Sequence, residues 1–454
     1  MDTKQLRQKI LDLAIRGKLV PQDPNDEPAS VLLERVKAEK ERLIAEGKIK
    51  RSKKSASSSD KPHYPFEIPD SWEWVRLDEI SKIGTGATPS TKDSSYYNNG
   101  TICWVNSSKT NCEFITEPTT YITQKAIDET NCTIYPIGAI IMAMYGEGKT
   151  RGQISELKIF SATNQACAAI VPFIDEYKDF IKIFLKANYW KIRTLAEGGL
   201  QPNLNLKKIS SYLIPMAPLA EQERIGVEVE KLMSFVDEIE QSTSLMNYSL
   251  SQVKAKILEL AISGKLVPQD PADEPAEVLL KRVNPNAVVS ADTSHYGQLP
   301  NGWCYTTMNY ICQLYDGEKI EDMELINLDA KYLRGKSEGN ALNKGRFVPE
   351  KTTMILVDGE NSGEIFTAPI NGYQGSTFKL LDINEEMNAE YVKLIIRIYQ
   401  KRLRDNKVGS AIPHLNKKMF REILVPVPPI AEQIRIVRRT YELMSKISEL
   451  TEAL

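Results

Sequence analysis

Residues 9–36 read KILDLAIRGKLVPQDPNDEPASVLLERV, and residues 256–283 read KILELAISGKLVPQDPADEPAEVLLKRV. Twenty-three of the 28 aligned positions are identical, at an offset of 247 residues. A match this long is an internal duplication, and it governs every other reading of the chain. A second pair recurs at an offset of 211: residues 201–225, QPNLNLKKISSYLIPMAPLAEQERI, against residues 412–436, IPHLNKKMFREILVPVPPIAEQIRI. Pro202/Pro413, Leu204/Leu415, Asn205/Asn416, Pro215/Pro426, Pro218/Pro429, Ala220-Glu221-Gln222/Ala431-Glu432-Gln433 and Arg224/Arg435 match. The same offset aligns Gly148/Gly359, Gly152/Gly363 and Ile154/Ile365, and Ile68-Pro69-Asp70-Ser71-Trp72 answers Leu299-Pro300-Asn301-Gly302-Trp303. Near-identical frames therefore enclose two divergent interiors, residues 64–216 and 296–427. Uniform drift after duplication would spread the differences evenly. Fixed frames around variable interiors point to one scaffold presenting two different binding surfaces.

The frames carry a helical period. From Ile225 the apolar positions run Val229, Leu232, Val236, Ile239, Met246, Leu250, Val253, Ile257 and Leu260, with Thr243 the one polar member. Spacing that alternates four and three over about five heptads is a coiled-coil seam; a buried bundle helix is the other reading. Such a helix, from about Pro218 to Ser263, would be roughly 65–70 Å long. Gly264 and Pro268 then stop it. The counterpart helix is split between the chain ends: one offset places Ile436, Leu443, Ile447 and Leu450 on the seam, and the other places Leu6, Ile10 and Leu13 there. The layout is cyclic, with the termini cut inside a helix, and two long helices could pack antiparallel. The predicted fold is α+β: two mixed α/β domains separated by two long antiparallel helices with pseudo-two-fold symmetry.

Boundaries follow from these patterns. They are a repeat helix and turn (1–36), a linker (37–63) that starts helix-prone and turns Lys/Ser-rich, the first interior (64–216), a central helix and repeat (217–283), a short linker (284–295), the second interior (296–427) and a C-terminal spacer helix (428–454). Within the interiors, residues 138–144 and 352–357 read as buried strands. Residues 179–199 and 390–410 each read as a basic amphipathic helix before a Gly-rich loop, with cations at matched places: Lys182/Lys393, Lys186/Arg397, Lys191/Arg402 and Arg193/Arg404. A solvated helix face accounts for such charges as readily as a binding surface does.

Composition narrows the function classes. A net charge of −2 gives no global basic footprint, which counts against nucleic-acid binding unless the charge is local. Six cysteines without a CxxC pair and three histidines make a zinc site unlikely and suit reduced thiols in a cytoplasm. No apolar run is long enough for a membrane span, and no signal peptide is expected. Met144-Tyr145-Gly146-Glu147-Gly148-Lys149-Thr150 imitates a phosphate loop, but the pattern needs glycine where Ala143 stands. Two ExK triplets (Glu156-Leu157-Lys158 and Glu176-Tyr177-Lys178) lack an upstream Pro-Asp partner, and no methyltransferase or dinucleotide fingerprint is present. His63, His295 and His414 sit in no nucleophile–base arrangement. No catalytic site is expected.

Both interiors close on [GS]xxPxLN followed by P-x-[AP]-P-[LI]-A-E-Q-x-R-I and a long helix: Gly199 to Asn205 with Pro215 to Ile225, and Ser410 to Asn416 with Pro426 to Ile436. Together with Ile68 to Trp74 and Ala162-Thr163-Asn164-Gln165, these segments resemble the specificity subunits of type I restriction–modification systems over nearly the whole chain. The second interior departs from the ATNQ pattern, with Gln374-Gly375-Ser376-Thr377-Phe378 at that offset, which leaves its target bases open. The resemblance implies a non-catalytic cytoplasmic chain whose two target-recognition domains each read half of an interrupted site in double-stranded DNA. It further implies helices that dock two methyltransferase subunits. S-adenosylmethionine, ATP and Mg²⁺ would belong to those partners and to translocase–nuclease subunits, with no cofactor in this chain. On that footing the eight helix cations above are the candidate phosphate contacts, about two per domain touching DNA. Asn106, Ser107, Lys149, Arg151, Asn361, Ser362, Gln374 and Thr377 are the candidate base readers from loops. A repeat scaffold that assembles proteins without reading DNA, or an enzyme fused to recognition domains, are the rival readings.

Overall fold

The computed structural model describes residues 2–49, 64–146, 148–195, 203–288, 299–406 and 414–453. His63, His295, most of the second linker and the Gly-rich turns at 199–202 and 410–413 lie outside these residues. Contacts divide the chain into two units, Met1–Ser242 and Thr243–Leu454. The division falls inside a single helix, Leu219–Ile262, so each unit owns part of it.

In the first unit the N-terminal helix, Thr3–Ile15, begins at Asp2, whose carboxylate accepts from the N–H groups of Lys4 and Gln5 and so caps the first turn. Leu6 and Ile10 pack with Ile225, Val229, Leu232 and Val236 of the long helix. Arg7 lies 2.5 Å from Asp237 and 3.0 Å from Glu240, while Gln22, beyond the helix end, reaches back to Glu221. The contacts retreat along the long helix as the N-terminal segment advances, so the two run antiparallel. The second unit repeats the arrangement with other material: Leu258, Ala261 and Ile262 share a core with Ile436 and Val437 of the C-terminal helix, Ile430–Ala453. Of the remaining seam positions, Ile257 and Ile447 are buried, Leu13, Ile239, Leu250, Leu260 and Leu443 half-buried, and Met246, Val253 and Leu450 exposed.

The two sequence repeats meet at a buried clasp. In the first unit Glu221 accepts from the indole N–H of Trp72 at 2.8 Å and from the carboxamide of Gln22 at 2.5 Å. In the second, Glu432 accepts from Trp303 at 2.9 Å and Gln269 at 3.0 Å. Each clasp is flanked by a bidentate ion pair, Arg224 to Asp26 and Arg435 to Asp273. The turn between helix and clasp needs glycine. Gly17 and Gly264 sit at φ +64° and +68°, and a Cβ there would lie 2.5 Å from Pro69 and 2.3 Å from Pro300. Burial pushes the Glu221 carboxyl up, and the hydrogen bonds from Trp72 and Gln22 offset only part of this.

Each interior is built on the same four strands in the same order. In the first unit these are Ser81–Thr85, Cys167–Pro172, Ile140–Ala143 and Ile154–Leu157, with the short strand Phe114–Ile115 added at the edge. In the second they are Cys312–Tyr315, Phe378–Ile383, Thr353–Leu356 and Ile365–Thr367. The strands expected near 138–144 and 352–357 are the buried members, with every residue of Ile140–Ala143 and Thr353–Leu356 inside, as a strand covered on both faces requires. A two-stranded antiparallel ribbon closes each interior, Glu73–Arg76 with Leu213–Met216 and Cys304–Thr307 with Leu424–Val427. The insertion after the first core strand is where the units part. The first builds three short strands there, Ile102–Val105, Thr120–Ile122 and Ile134–Tyr135, which form a separate sheet with Ser161–Thr163. The second builds a long hairpin, Lys319–Leu328 with Ala341–Val348, joined by Gly372–Gln374. The helix after residue 29 continues to Ala45, so the predicted linker begins as helix.

Replacing Glu221 by Ala should cost about 1–3 kcal/mol, because it leaves the buried indole N–H of Trp72 without its acceptor and removes the bond from Gln22. Glu432→Ala should cost a similar amount, and Gln at either position less. Urea unfolding measures this; an alanine variant within about 0.5 kcal/mol of the parent would show that the clasp does not hold the fold.

Candidate nucleic-acid interface

The first basic segment breaks into two helices, Lys178–Ala187 and Tyr189–Thr194. Between them Asn188 is buried, and its side-chain amide donates to the carbonyl of Phe184 at 3.0 Å, a local bond that competes with helix continuation. The second basic helix, Ala389–Asp405, is unbroken. These helices sort the expected phosphate contacts. Lys182 is buried and bonded to Glu156 at 2.7 Å and Asp179 at 3.3 Å, and Lys186 is paired with Glu113. Lys393 is buried against Glu390 at 2.7 Å, and Arg397 faces Glu390 and Tyr441. The expectation of phosphate contact is withdrawn for Lys182 and Lys393, because their ammonium groups neutralise carboxylates inside the fold. Lys191, Arg402 and Arg404 are exposed.

Arg193 does something else. It is half-buried, and its guanidinium donates to the carbonyls of Arg151 and Gly148, both at 2.5 Å. The loop it holds, residues 144–153, joins two antiparallel strands of the core sheet. It is a hairpin and does not open a helix, so the likeness to a phosphate loop ends there. Lys149 is exposed at its tip and Arg151 half-buried. Tyr145 and Trp190 are exposed beside this basic loop and helix, Trp190 at 65%. The sequence reading passed over Tyr189 and Trp190, although two aromatics inside a basic helix are a signal for nucleic-acid contact.

Other loop candidates separate in the same way. Asn106 caps a short turn, with its carbonyl oxygen accepting from the Ser108 N–H and hydroxyl; Ser107, in that turn, is half-buried. In the second unit Asn361 is exposed and Thr377 half-buried. Ser362 is fully buried, so it cannot reach a groove edge. Gln374 is committed at both ends, donating to Asp316 and the Phe378 carbonyl and accepting from the Gly317 N–H; it is a structural amide, not a base reader. His414, left without a role by sequence, lies 2.6 Å from Asp358 in the loop 357–364 that joins the strands Thr353–Leu356 and Ile365–Thr367 of the second unit. Among the described residues no cluster of metal ligands occurs, and no helix is long and apolar enough to cross a membrane.

The family model described as the type I restriction modification DNA specificity domain matches residues 69–245 and 314–454. The chain belongs to this family. It is a specificity chain, not a catalytic one. It is 27% identical to the EcoAI specificity subunit of Escherichia coli, over 98% of this chain and 90% of that one. It is 31% identical to the EcoEI specificity subunit of Escherichia coli, over 63% of this chain and 55% of that one. The fold resembles a chain solved in connection with complex assembly and conformational transition of the type I R-M system, with TM-score 0.60, 17% identity, and 86% and 94% coverage. It also resembles the HsdS subunit from Thermoanaerobacter tengcongensis, with TM-score 0.51, 17% identity, and 86% and 93% coverage.

In this specificity chain the buried lysine network around Glu156 serves the fold. Burial pushes the Glu156 carboxyl up, but hydrogen bonds from Lys158 and Lys182 and the charges of Lys182 and Lys178 outweigh that and hold it at about 2. The ionised carboxylate therefore stabilises the fold fully above about pH 4.5, and that stability is lost as pH falls towards 2. Glu156→Gln should lower stability by roughly 3 kcal/mol at neutral pH, since it leaves a buried lysine poorly compensated. The gap to the parent should close on acidification through that window. Denaturation at a series of pH values tests it; a gap independent of pH would show that the lysines do not hold the carboxylate.

Proposed function

We propose that this chain reads a bipartite site in double-stranded DNA, one half through residues 64–216 and the other through residues 296–427. The observation that carries this reading is the pairing of one conserved core with two different insertions: the same four strands and the same clasp, and above them a four-stranded sheet in one unit and a long hairpin in the other. A common scaffold bearing unlike surfaces is what two independent readers require. Lys149, Arg151, Lys191, Asn361, Arg402 and Arg404 are the leading candidate DNA contacts, with Asn106, Ser107, Lys186, Thr377 and Arg397 behind them, phosphate contacts placing each domain and loop side chains discriminating bases. Two methyltransferase subunits dock on the helices, and translocase–nuclease subunits join through that complex. S-adenosylmethionine is bound by the former, ATP and Mg²⁺ by the latter. The names of the similar proteins and the complex assembly described for a structural neighbour support this reading.

Exchanging residues 64–216 for the matching segment of a relative should change one half of the methylated sequence and leave the other intact, as read by sequencing methylated sites. A change in both halves would reject the assignment of one domain to each half-site. The chain without partners should show no turnover when supplied with S-adenosylmethionine, ATP and Mg²⁺, and methylation should appear when methyltransferase subunits are added. Turnover by the purified chain would reject the non-catalytic role.

A further inference from the structure

We propose that Arg193 and Tyr189 are positioning residues that set the base selectivity of the first recognition domain by tethering the 148–151 loop, and that Arg193 is not a phosphate contact. This rests on the reading that the loop meets DNA.

The geometry is specific. Three carbonyls of one short loop are taken by two side chains of one helical turn. Arg193 binds those of Gly148 and Arg151, and the Tyr189 hydroxyl donates to that of Lys149 at 2.5 Å. Arg193 also donates to the Tyr189 oxygen at 3.3 Å, so the bonds form a connected chain that polarises mutually. The guanidinium carbon stands 5.3 Å from the Tyr189 ring centre and 5.7 Å from that of Trp190. At the loop base, Gly152 has φ +84°, and a Cβ there would lie 3.2 Å from the Arg193 side chain. Helix and loop are closely packed here.

Backbone bonds fix the base of the loop, from the N–H of Gly152 to Ala143 at 2.8 Å and from the N–H of Gln153 to Thr150 at 3.0 Å, and the helix side chains hold its outer carbonyls. Gly146 and Gly148 take φ +125° and +64°, conformations that glycine adopts among many others at little cost, so these residues do little by themselves to fix the backbone. A base-reading side chain on such a loop would pay its ordering entropy at every binding event; fixing the backbone beforehand removes that cost and fixes which groove edge the side chain meets. The planar guanidinium can span two carbonyls at once, which an ammonium group cannot do in the same geometry. Among the described residues the matching loop of the second unit, 357–364, is held differently. Arg404, the counterpart of Arg193, is exposed near Asp405 at 3.8 Å, and the loop is held by the Asp358–His414 contact.

The test is selection from a DNA library randomised at both half-sites, with the chain reconstituted with its methyltransferase subunits and binding repeated at several salt concentrations. Arg193→Ala and Arg193→Lys should both broaden base preference by roughly tenfold at one or two positions of the half-site read by the first domain. The other half-site and the salt slope should not change. Tyr189→Phe, which removes one hydroxyl and keeps the ring, should broaden the same positions to a smaller extent; it keeps the proposal testable if the Arg193 variants fold poorly. A salt slope lowered by about one in Arg193→Ala and restored in Arg193→Lys, with selectivity intact, would make Arg193 a phosphate contact and overturn the proposal. Lys149→Ala separates the two layers of the argument. If it and the Arg193 variants all leave selectivity and slope untouched, the loop does not meet DNA and both readings of this surface fail. If Lys149→Ala alters binding while Arg193 and Tyr189 variants do not, only the tether fails.

Discussion

Glu221 and Glu432 each stand in the first turn of a helix, where unpaired backbone N–H groups and the helix dipole favour negative charge. That position lets a carboxylate stay in a buried corner, and two side-chain donors complete its environment. One donor, Trp72 or Trp303, comes from the approach to a recognition domain; the other, Gln22 or Gln269, comes from the turn after the partner helix. Three segments distant in sequence are thereby fixed at one point. The antiparallel helix pairing, the closing β-ribbon and the placement of the core sheet all follow from where those segments meet.

Above this base, each unit spends its sequence differently. The core sheet keeps four strands in one order, while the insertion after its first strand changes architecture outright. The lysines of the basic helices follow the same division of labour. Those near the sheet, Lys182 and Lys393, neutralise buried or half-buried carboxylates, and those farther along, Lys191, Arg402 and Arg404, face solvent. Matched charge in two copies thus reflects a shared folding requirement at one end of the helix and leaves freedom at the other.

The duplication, the cyclic helix layout and the buried strands were legible in the sequence because each rests on a periodic or repeated pattern. The heptad spacing placed Ile225, Val229 and Val236 inside, while Met246, Val253 and Leu450 on the same spacing are exposed, since spacing fixes a helix face but burial needs a partner against it. The site was less legible. Nothing in the spacing of Lys182 distinguishes a phosphate contact from a partner for Glu156, which lies 26 residues away on a strand. Gln374 and Ser362 looked like loop polar residues, but one is consumed by the backbone around Asp316 and the other is enclosed. Whether a polar side chain is free depends on neighbours that only the folded chain brings together. Asn188 shows the same limit within one helix: a single side-chain bond to Phe184 divides in the first unit what stays continuous in the second.

The clasp residues contributed by the duplicated stretch are Gly17, Gln22 and Asp26 in one copy and Gly264, Gln269 and Asp273 in the other, identical in type. Either copy can therefore serve either glutamate. Exchange of one copy of the stretch for the other would remove 247 residues and join the N-terminal helix to the second interior and the C-terminal helix. The shortened chain retains one complete clasp around Glu432, one core sheet and both helix halves that bracket them. The duplicated stretch would keep its register at the junction, whereas the N-terminal helix would meet Ser448 and Thr451 at the places where Asp237 and Glu240 now pair with Arg7.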